Sequence, residues 1–79
     1  MNDNVIKIDG HIFVNKYKTV NTIEPYQAAV AMPVGAFCKK CNYEIAHTID
    51  FLKENGIFYI FLHDLYLPCE QYQIKKLLE

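Results

Sequence analysis

Two short apolar runs open the chain, Val5-Ile6-Lys7-Ile8 and His11-Ile12-Phe13-Val14, with Asp9-Gly10 between them. Aspartate and glycine both tolerate the positive φ angles of a tight two-residue turn, so the pattern predicts an antiparallel hairpin. Its register pairs Ile8 with His11, Lys7 with Ile12, Ile6 with Phe13 and Val5 with Val14. Ile6, Ile8 and Phe13 then share one face, which is read as the core side. The second strand is expected to continue through Tyr17 and Val20. Thr22 to Met32 ends in an apolar run, Gln27 to Met32, too short to be assigned by periodicity. It suits a helix with Pro25 in its first turn, or a short buried strand stopped by Pro33. Pro33-Val34-Gly35 reads as a turn or a break.

Further on, Cys38, Cys41, Ile45, Ile49 and Leu52 recur at steps of three and four, the spacing of one helical stripe. Glu44, His47, Asp50 and Lys53 fall off that stripe. Asn55-Gly56 is a stop signal, with glycine placed to leave the helix. The helix starts near Ala36 or is capped by Asn42. Ile57 to Leu62, dense in β-branched and aromatic residues, reads as a strand buried on both faces, ended by His63-Asp64. Pro68 then opens a short C-terminal helix whose inner side is drawn from Cys69, Tyr72 and Leu77.

Composition narrows the function. The 79 residues form one domain, 1–79, and 52% of them are hydrophobic, the balance of a folding sequence. Eight lysines, no arginine and a formal charge of −1 argue against nucleic acid as a partner, because a net-basic face and bidentate arginines are missing. There is no serine for serine-nucleophile chemistry, and the three glycines are too scattered for a phosphate loop. No apolar run is long enough for a membrane span, and the N-terminus lacks a secretory pattern. A cytoplasmic protein with reduced thiols is therefore expected. The isoleucine, lysine, asparagine and tyrosine usage fits a low-GC bacterial or phage source.

Cys38-Lys39-Lys40-Cys41 is the one recognisable motif, and three readings compete for it. Free cysteines behave as small hydrophobes, so both thiols can simply be core residues of the stripe. Alternatively, Cys38 sits at a helix N-terminus, where the dipole and the neighbouring lysines favour thiolate, and Cys41 resolves a mixed disulfide. The order strand, CxxC, helix, Asn-Gly-Ile, strand, Pro68 helix resembles the first half of a glutaredoxin-like or arsenate-reductase-like thioredoxin fold. That resemblance implies a thiol oxidoreductase with Cys38 and Cys41 as its redox pair. The third reading is tetrahedral zinc, with Cys38 and Cys41 joined by His63 and Cys69, and with His47 and His11 as more distant candidates.

The histidines have simple roles available. His11, just after the hairpin turn, is expected to be a solvated strand residue. His47 lies on the polar helix face. His63 is expected to hydrogen-bond backbone beside a turn or cap made by Asp64. Six tyrosines and five phenylalanines exceed what so small a domain can enclose. Tyr17, Tyr26, Tyr43, Tyr66 and Tyr72 are therefore expected at the surface. Leu65-Tyr66-Leu67-Pro68 is apolar where a connection should be polar. It either covers an open end of the core or forms a contact through Tyr66, Leu67 and Tyr72 with a second copy or a protein partner.

Together these observations predict an α+β domain: an N-terminal β-hairpin, a helix packed on a mixed sheet, a buried strand over 57–62 and a short C-terminal helix. No carboxylate pair shares a pocket, so the expectation is a non-enzymatic binding or regulatory module, inhibitor-like or adaptor-like. It would act through a protein surface, as a homo-oligomer, without a cofactor. A CxxC oxidoreductase or a zinc-stabilised module are the alternatives.

Overall fold

A computed structural model describes residues 4–21, 29–63 and 65–79. Strands β1 (Val5–Ile8) and β2 (His11–Asn21) form the expected hairpin, paired in the expected register from Val5↔Val14 to Ile8↔His11. The turn works because Asp9 and Gly10 both adopt left-handed backbone, with φ of 50° and 84°. Burial alternates along β2. His11, Phe13 and Asn15 are buried, whereas Ile12 and Val14 are only half-buried on the other side.

β3 (Ala29–Cys38) runs antiparallel to β2 along its whole length, and β4 (Glu44–Ile45) adds two residues beyond it. The sheet has the order β1-β2-β3-β4. Every pairing is antiparallel, so the sheet is not mixed. The domain is a small α+β fold as expected. Residues 29–32 are strand; residues 22–28, which carry Pro25 and Tyr26, lie outside the described residues. Nor does Pro33 end the strand. The register shifts beside it, pairing Lys16 with Gly35 and Tyr17 with Pro33, so Val34 forms a bulge. A proline costs no ladder bond here, because β4 pairs only with Ala36 and Phe37 and leaves this stretch of β3 as an edge. Gly35 is needed where the strands close up: a Cβ there would lie 2.7 Å from the Ile45 carbonyl oxygen.

The long helix expected from Cys38 onward is replaced by three elements. Cys38 ends β3, a tight turn follows, β4 takes Ile45, and only Ile49–Asn55 is helical (α1). The turn closes with Asn42 at φ 67°, and Asn42 N donates to the Cys38 carbonyl at 2.8 Å. Thr48 caps α1, its hydroxyl accepting from Phe51 N at 3.2 Å. The buried Asn15 side chain accepts from Ile49 N at 2.7 Å, tying the helix start to β2. Gly56 ends α1 as its stop signal predicts, its amide donating to the Leu52 carbonyl.

Ile57–Leu62 is a 3-10 helix, not a buried strand. Only Ile60 is enclosed; Phe58 is 54% exposed and Leu62 64%. Its composition suits any half-buried surface, and Tyr59 packs edge-on against Phe51 while Phe61 packs against Tyr66. Helix α2 (Cys69–Leu77) follows Pro68 as expected. With α1 short, the CxxC at a strand end and no parallel pairing, the element order of a thioredoxin-like half is not present among the described residues. No helix among the described residues is long and apolar enough to cross a membrane.

Candidate metal centre

Three short-range structures converge on one point. The β1–β2 turn delivers His11 as the first residue of β2. The end of β3 and its turn deliver Cys38 and Cys41, and Pro68 starts α2 so that Cys69 is its first residue. Gly10 permits the convergence, since a Cβ at that position would sit only 3.3 Å from the Cys69 Cβ. Cys69 N donates to the Asp9 carbonyl at 3.0 Å, which fastens α2 to the hairpin turn.

The result is a buried cluster of His11, Cys38, Cys41 and Cys69, whose ligand atoms all lie within 4.8 Å of one another. These four residues could bind a metal such as zinc. Two edges of the cluster compare directly with a zinc tetrahedron. Zn–S bonds near 2.3 Å and Zn–N bonds of 2.0–2.1 Å imply S···S edges of about 3.8 Å and S···N edges of about 3.6 Å. Cys38 Sγ lies 3.9 Å from Cys69 Sγ, and Cys41 Sγ lies 3.5 Å from His11 Nδ1.

Surrounding groups orient these atoms. His11 Nε2 lies 2.8 Å from the Leu67 carbonyl oxygen, which can only accept, so this nitrogen carries the proton. Nδ1, the other ring nitrogen, faces the sulfurs at 3.5 Å from Cys41 Sγ, and it is the atom that would ligate a metal while the carbonyl holds Nε2. Tyr43 stacks on the imidazole at 5.2 Å, and Phe13 lies tilted against it at 4.8 Å. Cys38 Sγ accepts from Ile12 N at 3.4 Å and from Lys40 N at 3.3 Å. Burial by itself pushes the Cys38 thiol up, but the His11 ring and the Ile12, Cys41 and Lys40 amides outweigh it and bring the pKa down to about 6. Burial raises Cys41 to about 12, opposed by the Tyr43 amide and reinforced by the adjacent Cys38 and Cys69 sulfurs.

Cys38, Cys41 and Cys69 are thus brought together, and all three are free thiols. His63 is not among them. Its Nε2 accepts from Ala46 N at 2.9 Å, the backbone bond expected of it, while Asp64 lies outside the described residues. His47 stacks on Phe51, away from the cluster. His11 takes the fourth position and is 1% exposed, not solvated. A readable signal was present, because the hairpin register pairs His11 with Ile8 and so puts it on the core face.

Tyr66, Leu67 and Tyr72 enclose this site. Tyr66 donates to Asp9 Oδ2 at 2.8 Å, the Leu67 carbonyl holds His11, and Tyr72 meets Tyr43 edge-on at 4.9 Å. Within the Leu65–Pro68 connection Tyr66 packs against the core, whereas Leu65 is 79% exposed. Tyr43 itself is buried rather than at the surface, whereas Tyr17 is exposed as expected. No protein-family model, no curated protein and no solved structure matches this chain.

Proposed function

We propose that this chain is a zinc-stabilised, non-enzymatic binding module. The observation that carries the reading is the buried set of one imidazole and three thiols, two of whose edges, at 3.9 and 3.5 Å, are close to those of tetrahedral zinc. All four positions would be filled by protein, leaving none open for water or substrate. A closed site of that kind is structural rather than catalytic.

Physical need points the same way. A domain of this size encloses a small core and commonly relies on a staple. Here the staple would join the hairpin turn, the end of β3 and the start of α2, segments far apart in the chain. Thiolate sulfurs would be stabilised by the amides of Ile12 and Lys40, already aimed at Cys38. The exposed lysines 39 and 40 would offset the surplus negative charge of three thiolates around a dication.

Native mass spectrometry of protein purified without chelator tests this reading. The expected result is one zinc per chain, retained by His63→Ala and lost or weakened by His11→Ala. A metal-free parent chain in excess zinc overturns the reading, as does a chain that has lost two hydrogens to a disulfide.

A further inference from the structure

Among the described residues, the face of the sheet turned away from the metal centre carries no second layer. Even-numbered residues of β2 point to it, and the register places Phe37, Met32 and Val30 of β3 beside them. An antiparallel sheet with one solvated face alternates apolar inward and polar outward. This one does not: Ile12 and Val14 are apolar and half-buried, Phe37 likewise, and Val30 and Met32 are exposed. Interleaved with them are Lys7, Lys16 and Lys18, all exposed. Glu44, paired opposite Phe37, is the only carboxylate of the strands on this face among the described residues. Lys16 already holds it at 3.0 Å. Lys7 and Lys18 have no carboxylate partner among the described residues.

From this apolar strip flanked by ammonium groups that have no carboxylate partner among the described residues, we infer that the outer sheet face docks an acidic amphipathic helix of a partner protein. The inference rests on the binding-module reading and names the partner's chemistry. A helix laid on a sheet is the ordinary second layer for such a face. Its apolar stripe would cover Val14, Met32 and Phe37, and its carboxylates would reach Lys7 and Lys18. Nucleic acid fits less well. The face offers one half-buried aromatic for stacking and no arginine, and alternation along β2 puts Tyr17 on the opposite side.

The test uses the full chain with its zinc content measured by mass, and a fluorescein-labelled helical peptide with a leucine stripe and glutamates elsewhere. A peptide with lysine replacing every glutamate, and a thymidine oligonucleotide, are the controls. Fluorescence anisotropy should show binding of the glutamate peptide alone, weakened by added salt and about tenfold by Lys7→Glu/Lys18→Glu. Both substitutions are on exposed side chains and should leave zinc content unchanged. Amide shifts on peptide addition should map to Lys7, Val14, Lys18, Met32 and Phe37. The inference is overturned by equal binding of both peptides, by no binding, by preference for the oligonucleotide, or by shifts confined to α2. It is also overturned if the face proves occupied by a second copy of the chain. Zinc bound without peptide binding refutes this inference alone; peptide binding without zinc refutes the metal reading alone.

Discussion

At one end of the β2–β3 hairpin, Phe13, Ala36 and Cys38 are fully enclosed; toward the other, Val20, Val30 and Met32 are 37%, 45% and 49% exposed. The two stretches are alike in strand propensity and in ladder pairing. What differs is the cover. The enclosed end meets β1, β4, α1 and the start of α2, and the cysteine–histidine cluster lies there. Among the described residues, the ribbon beyond Lys16 has only itself. Propensity is enough to specify paired strands, but a core arises only where distant segments are tied over them.

The strongest way to break this contrast is to remove the tie. Cys38→Ser, or chelation of the parent, should abolish zinc binding and unfold the enclosed end, read as loss of the circular-dichroism spectrum. Structural zinc in small peptides contributes roughly 10–16 kcal/mol, as much as a whole domain's net stability. A variant that melts like the parent would show that packing alone holds this end together.

Next in size is the core under the cluster. Phe13→Ala should cost about 3–5 kcal/mol, measured as a lower denaturant midpoint on the zinc-loaded protein. Asn15→Ala removes the acceptor for Ile49 N and should cost about 1–3 kcal/mol, with faster exchange of that amide. Smallest is the ribbon. Val30→Thr should change stability by less than about 0.5 kcal/mol, because the side chain is already half in water. A large effect there would mean that the outer face is covered.

How far the sequence foretold this arrangement depended on whether the cause was local. The hairpin was legible to the residue, since Asp9-Gly10 fixes the turn and a two-residue turn fixes the register over ten positions. Gly56 and Pro68 likewise marked an end and a start. The Cys38–Leu52 stripe was half legible. All five of its residues are buried, yet they are spread over a strand end, a turn, a two-residue strand and a helix. Steps of three and four reported which side chains face inward, not the backbone that carries them. The turn after Cys38 depends on partners far away in sequence, and periodicity contains nothing of those. Thr48, a ready N-cap, was the local hint that the helix begins late. The 57–62 segment misled for a related reason: apolar and aromatic on every side, it matched a buried strand, but no sheet edge receives it. The cluster was legible in its cysteines, while its histidine was only a more distant candidate. His63 was chosen for its nearness to Cys69 in sequence, while His11 was brought in by register.

X-ray absorption at the zinc edge tests the central claim most directly, because it reads the ligand atoms themselves. The account predicts a first shell of three sulfurs at about 2.3 Å and one imidazole nitrogen at about 2.0–2.1 Å. That shell should persist in His63→Ala. A shell of oxygens and nitrogens alone, or one whose imidazole disappears with His63 instead of His11, would contradict it.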